Sequence, residues 1–367
     1  MKNASLKLTL ASLLTASAMN LQAAEEKVLN VYNWSDYIAE DTIAQFEAET
    51  GIKVVYDVFD SNEVLEAKLL SGSTGFDIVS PSHDFYARQI TAGVYQKLDR
   101  SLLSNWDNLD PKLLATLEAY DPGNLYGIPY MWGTTGIGYN VNKVKEILGE
   151  DADLNSWSLV FDPAIVSQLS QCGVAFLDAP SEVVAAMLNY MGKDPNSSKA
   201  ADYQGEIEQL MEQLRPHVRY FHSSQYINDL ASGDICVAIG WSGDVLMAGD
   251  RAAEADNGVE LEYIIPKEGA GVWFDMFAIP KDAKHPENAH AFINYILRPE
   301  VIAKVTDYVW YANPNTKATA LIDPEIAAHE GIYPSKEAAE HLYGFMSIPP
   351  RVERVRTRLW TKFKTGR

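Results

Sequence analysis

The chain has little of several things, and each shortage removes a class of function. Only two of its 367 residues are cysteine, Cys172 and Cys236. Two thiols are too few for a cysteine metal cage, and the seven histidines do not gather. His285, Glu287 and His290 come nearest to a cluster, but they stand at the polar start of a predicted helix and read as a solvated face. Basic residues are also scarce: 30 Lys and Arg against 50 Asp and Glu leave a formal net charge of −20. Such a chain repels nucleic acid and anionic membrane surfaces and gathers cations. The plainer use of that charge is solubility. The sequence has no G-x-S-x-G elbow and no Walker A loop. His222 sits next to Ser223 and Ser224, but chain neighbours without a third, orienting group do not make a nucleophile and base. Gly133, Gly136 and Gly138 form a loose glycine pattern that fits backbone crossing better than phosphate binding. We therefore expect no enzyme, no metal and no cofactor.

A long apolar run is missing as well. The first 24 residues carry Lys2 and Lys7, a short apolar stretch from Leu8 to Leu14, and a small-residue site at Gln22-Ala23-Ala24. That stretch is too short to span about 30 Å of hydrocarbon, so it is expected to be a cleavable secretory signal peptide, with the periplasm as destination. Its removal would take away two positive charges and no negative ones, moving the net charge from −20 to −22. The remainder exceeds the size at which one core keeps growing, so two domains are expected. In an oxidising compartment Cys172 and Cys236 are either bridged or two buried thiols, and the compartment favours the bridge.

What is present begins as a β-α-β-α-β series. Val28 to Tyr32 is apolar, Asp41 to Thr50 is helical with Gly51 just beyond, and Ile52 to Phe59 is β-branched and aromatic. Ser61 caps a helix that Gly72 ends, and Phe76 to Val79 is a third strand. Alternation of this kind predicts an α/β fold with parallel, doubly wound sheets. Later strands are expected at Ile235 to Gly240, Glu262 to Ile265 and Trp273 to Ile279, with helices opened by Pro286 and Pro299. No flexible tether separates two lobes, so strands are expected to cross between them.

Ligands in open α/β sheets sit beyond the carboxyl ends of strands. There the chain repeats a couplet of aromatic and acid: Trp34 with Asp36 and Tyr37, Phe85 with Asp84, Trp241 with Asp244, and Trp273 and Phe274 with Asp275. Tyr308, Trp310 and Tyr311 add aromatic surface, and no Lys or Arg joins these groups. Any one couplet could be a core aromatic beside a helix-capping acid. Four at equivalent positions point instead to a cleft for a cation, held by ring faces and carboxylates.

Several long strings carry a resemblance. Tyr32 to Ile38 (YNWSDYI), Tyr56 to Glu66 (YDVFDSNEVLE), Pro129 to Asn140 (PYMWGTTGIGYN), Tyr220 to Ala238 and Val355 to Gly366 are similar to the bacterial periplasmic polyamine-binding proteins. The resemblance covers nearly the whole chain after residue 24. It implies a type II periplasmic-binding fold, two doubly wound lobes with a hinge, a Cys172–Cys236 bridge, and a cleft for putrescine or spermidine. We expect residues 25–133 plus 258–305 in one lobe and 134–257 plus 306–367 in the other. Matched residue by residue, Trp34, Ser35 and Asp36, with Tyr37 beside them, fall in the segment that holds one ammonium end. Ser82 and Phe85 match wall positions, Glu182 an acid of the second lobe, and Ser223 a polar cleft position. Trp241, Asp244, Trp273, Asp275 and Tyr311 match the box around the methylene chain and the other ammonium. Two departures stand out: Asp84 replaces a small hydroxyl of the putrescine binders, and Trp273 a Phe found in some of them. Both suggest a longer ligand, so spermidine is expected over putrescine. The implied partner is an inner-membrane ABC permease served by a monomer; the alternative is a membrane signalling receptor.

Overall fold

The structure is a computed structural model and describes residues 25–366. The expected signal peptide lies outside those residues. Among them no helix is long and apolar enough to cross a membrane.

Ten strands form one sheet: β1 (Val28–Trp34), β2 (Lys53–Phe59), β3 (Ile78–Val79), β4 (Gly127–Asn140), β5 (Val174–Phe176), β6 (Tyr220–Phe221), β7 (Val237–Trp241), β8 (Leu261–Ile264), β9 (Gly271–Ala278) and β10 (Tyr343–Gly344). Their order is β2-β1-β3-β9-β4-β7-β5-β6, with β8 added on β4 and β10 on β9. Each end of this path is a parallel, helix-covered unit: β1 pairs in parallel with β2 and β3, and β5 pairs in parallel with β6 and β7. These units are the cores of the two lobes. β1 and β3 are central and apolar, with Val31, Ile78 and Val79 fully buried. β2 is outermost, so its Val54 and Phe59 point inward while Lys53, Val55 and Asp57 face water. Helix boundaries follow local chemistry. Ser61 is extended and its Oγ accepts the Val64 N–H at 3.3 Å, which starts the Asn62–Ser71 helix. Gly51 turns left-handed, at φ 69°, and ends the Thr42–Thr50 helix.

The lobes are joined by β4 and β9, which run antiparallel to each other from Gly127↔Ala278 to Thr135↔Gly271. β4 then continues alongside β7 and β8. The crossing glycines are required by this close approach. A Cβ on Gly136 would lie 2.3 Å from the Ile264 carbonyl oxygen, and one on Gly138 would lie 2.6 Å from Val245. Leu261–Ile264 pairs with Ile137–Asn140, and Gly271–Ala278 then pairs with Gly127–Thr135.

Cys172 and Cys236 are joined by a disulfide with their Cα atoms 5.5 Å apart. It closes a loop of 64 residues between the turn before β5 and the start of β7, a constraint worth about 4 kcal/mol in the chain-entropy account. The expected solvated face at 285–290 is not one. His290 is buried, its Nε2 accepts the Asp99 N–H at 2.8 Å, and its Nδ1 donates to the Pro286 carbonyl at 2.6 Å. His285 Nδ1 lies 2.9 Å from the buried Asp77 carboxylate. Only Glu287 of the three faces water, because the first turn of the Pro286–Ile296 helix is tucked against the loop before residue 100.

Candidate functional site

A narrow cavity lies between the lobes, where the ends of β1, β2 and β7 meet the middle of β9. Trp34 ends β1 and Trp241 ends β7, and across the gap their rings sit edge to face, with centroids 5.4 Å apart. Tyr311 meets Tyr37 at 5.1 Å and Trp273 at 5.4 Å. These rings form a box drawn from both lobes. Gly133 makes room for one wall, since a Cβ there would lie 2.8 Å from the Trp273 ring.

Four carboxylates line the box, and three of them, Asp275, Asp244 and Glu182, are buried. Asp275 accepts hydrogen bonds from Tyr37 Oη at 2.8 Å and Ser82 Oγ at 2.6 Å. Ser82 is itself set by Asn62, whose Oδ1 takes the Ser82 N–H and whose Nδ2 donates to Ser82 Oγ, both at 2.9 Å. Asp244 mirrors this in the second lobe, accepting from Tyr226 Oη at 2.8 Å and Tyr311 Oη at 2.6 Å. Glu182 accepts from Trp241 Nε1 at 2.8 Å and from Thr135 Oγ1. Every hydrogen-bond partner of the buried three is neutral, and among the described residues no Lys, Arg or His lines the cavity. Burial therefore dominates their ionisation. It pushes Asp244 and Asp275 up to about 7 and Glu182 to about 8, against the hydrogen bonds that favour the charged forms. The indole N–H groups of Trp34 and Trp273 are buried without an acceptor among the described residues. The box can thus surround an elongated cation, with ring faces along its chain and carboxylates at its charged ends.

Eleven of the fourteen site residues expected from sequence line this cavity, Ser35 and Ser223 included. Three do not. Asp36 has a left-handed backbone, φ 52°, that turns its carboxylate outward to Arg251 of the opposite lobe at 2.7 Å. Phe85 is buried in the first lobe with the Arg88 guanidinium 3.7 Å above its ring. Asp84 is buried in the first turn of the His83–Ala92 helix, behind Ser82. Trp273 and Asp275 line the cavity but lie inside β9, an antiparallel strand, not beyond a strand end. Phe59 and Asp60, at the end of β2, were missed although they repeat the aromatic-and-acid couplet. Tyr226, which orients Asp244, stands in the first turn of the Gln225–Ser232 helix and not directly beyond a strand, and it left no such signal.

The model of the bacterial extracellular solute-binding protein family matches residues 41–334. The chain belongs to that family. It is 58% identical to the putrescine-binding periplasmic protein PotF of Escherichia coli over 97% of this chain and 96% of that one. It is 55% identical to the putrescine-binding periplasmic protein SpuD of Pseudomonas aeruginosa over 99% and 98%. At 34% identity, over 89% of this chain and 90% of the other, it matches the spermidine/putrescine-binding periplasmic protein of Salmonella typhimurium. A putative spermidine/putrescine ABC transporter structure from Listeria monocytogenes superposes with a TM-score of 0.82 at 35% identity, covering 93% of this chain and all of that one. The fold is thus that of the type II periplasmic binding proteins, and the chain is a solute-binding protein, not an enzyme.

Proposed function

We propose that this solute-binding protein captures a linear polyamine in the periplasm and delivers it to an inner-membrane ABC permease. The observation that carries this is the pairing of three buried carboxylates with an aromatic box and no cation of the protein's own. Desolvated acids without a counter-charge are costly, and an alkyl chain with an ammonium at each end relieves that cost while its methylenes stack on the rings. The names of the relatives at 58% and 55% identity support the same ligand class.

On ligand length we propose putrescine ahead of spermidine, reversing the expectation drawn from Asp84 and Trp273. Trp273 does line the cavity, but Asp84 does not, so the extra carboxylate assumed for a third ammonium is not in the lining. Both of those relatives are named for putrescine. Titration calorimetry on refolded, ligand-free protein with putrescine, cadaverine, spermidine and spermine tests this. Micromolar or tighter binding of at least one, about −8 kcal/mol or beyond, is expected. No heat with any of the four, from a folded protein, refutes the polyamine assignment.

A further inference from the structure

The cavity has one wet end. Of the described residues that line it, only Ser35, Asp60 and Ser224 are half-buried, and the rest are buried. Ser35 and Asp60 come from the first lobe and lie together. Phe59 ends β2 with its ring 4.5 Å from Trp34, and its carbonyl accepts the Ser35 N–H at 3.1 Å and the Ser35 hydroxyl at 3.3 Å. Asp60 follows at once. Ser224 comes from the second lobe, where it precedes the Gln225–Ser232 helix without using its hydroxyl as a cap. The mouth is therefore two hydroxyls and a carboxylate, with no apolar surface of its own. Asp60 is fixed by its neighbours in the chain, since Ser61 caps the next helix and Asn62 holds Ser82 behind Asp275. Its own carboxylate makes no side-chain hydrogen bond or ion pair among the described residues. The other acid beside the mouth, Asp36, spends its charge on Arg251 at 2.7 Å.

We propose that Asp60 is the residue that admits polyamines longer than a diamine, by receiving the third ammonium where the chain leaves the box. This rests on the polyamine assignment and deepens it. The buried acids meet the two charges of a diamine inside the ring box. When the butane-diamine part of spermidine fills that box, its aminopropyl end must pass the mouth. A bare alkyl tail would find no apolar surface there, and an ammonium without a partner would lose part of its hydration for nothing. Asp60 offers that ammonium a charge-assisted bond. Because the group is half-exposed, water screens the pairing and keeps it weak. A triamine is thus received at the mouth without being preferred over putrescine, which already engages every buried acid.

The test is calorimetry on the ligand-free full chain and its Asp60→Asn variant with three ligands: putrescine, spermidine, and spermidine acetylated on its aminopropyl nitrogen. Asp60→Asn is expected to lower the spermidine-to-putrescine affinity ratio about three- to fivefold, the scale of a screened pair. The acetylated ligand has no outer charge, so its ratio to putrescine should be the same in both proteins. A folded variant with an unmoved spermidine ratio overturns the proposal, including the case where both ligands weaken equally and Asp60 only steers cations inward. So does a fall in the acetylated ligand's ratio as large as that for spermidine. The unaltered chain gives an arm that needs no variant: acetylated spermidine bound as tightly as spermidine would show that the third charge has no partner, which overturns the proposal as well. Absence of binding by any polyamine refutes the ligand assignment together with the inference, whereas binding with unmoved ratios refutes the inference alone.

Discussion

Asp244 and Asp275 share one design: a carboxylate held by two neutral hydroxyls, buried, with no cation of its own. Replacing either with Asn keeps the shape and removes the charge that an ammonium would meet. Each substitution is expected to weaken putrescine binding by about 2 kcal/mol, roughly thirtyfold, on calorimetry. Asp36→Asn, which changes a group outside the lining, is expected to cost much less. Equal losses at all three positions would remove the distinction between lining and mouth. The same burial makes binding a proton-coupled event. Asp244 and Asp275 rest near 7 and Glu182 near 8 when no cation is present, so at pH 6 the ligand-free site holds protons. A cation binds the ionised form and pulls these values back down, which expels protons on binding. Affinity is therefore expected to rise from pH 5 to pH 8. Calorimetry in two buffers of different ionisation enthalpy should show net proton release at pH 6. The stability of the empty form carries the opposite sign. Groups raised above their unfolded values stabilise the fold fully below about pH 4 and lose that contribution as pH passes 7. The ligand-induced rise in Tm is thus expected to be larger at pH 8 than at pH 5, and a pH-independent rise would contradict the coupling.

At the level of strands and helices, the site depends on how closely β4 passes β9 and β7. Gly133 and Gly136 are tight for different reasons, so their alanine variants should differ. A methyl at 133 meets the far end of the Trp273 ring at 2.8 Å, which can give way, but only by moving a wall of the cavity. Gly133→Ala is expected to weaken ligand binding about tenfold with a small change in Tm. A methyl at 136 meets a backbone oxygen at 2.3 Å, which cannot swing aside. Gly136→Ala is expected to cost roughly 1–3 kcal/mol of stability in urea unfolding. Most of this element plan was legible in the sequence: the strand starting at Val28 (expected to end at Tyr32, and running on to Trp34), the Ser61 cap and the Pro286 helix start all follow from local residue chemistry. Strand direction was not. Trp273 to Ile279 reads as a strand whichever way it runs, and its antiparallel course is set by the crossing between lobes, a long-range fact. Of the site, what sits at strand ends was readable, and Phe59 and Asp60 could have been found by that rule. Asp36 could not have been excluded by it, since only the left-handed turn at that residue sends the carboxylate outward.

For the whole molecule, closure is the event that links charge to capture. Asp36 follows β1 and Arg251 lies in the Ser242–Glu254 helix after β7, so their 2.7 Å ion pair spans the mouth from lobe to lobe. Arg251 is braced by Asn228 Oδ1 at 2.9 Å, which fixes its side chain for the pairing. Both partners are about one-third exposed, 36% for Asp36 and 31% for Arg251, so water and salt screen the pair and it contributes about 1 kcal/mol at most. That is enough to hold a closed form a few times longer and too little to create one. Arg251→Gln is therefore expected to speed putrescine release about three- to fivefold. The association rate should change little, because the encounter is governed by the field of the whole chain, with its 50 acids against 30 bases. That field has its own signature. Raising salt from 0.01 M to 0.15 M shortens the screening length from about 30 Å to about 8 Å, and the association rate of a dication should fall while its dissociation rate moves less. Stopped-flow tryptophan fluorescence can follow both, since Trp34 and Trp241 come from opposite lobes and their rings meet across the cavity. An association rate indifferent to salt would leave the acidic surface with solubility as its only role. An unchanged release rate in Arg251→Gln would place the hold on the ligand wholly inside the box.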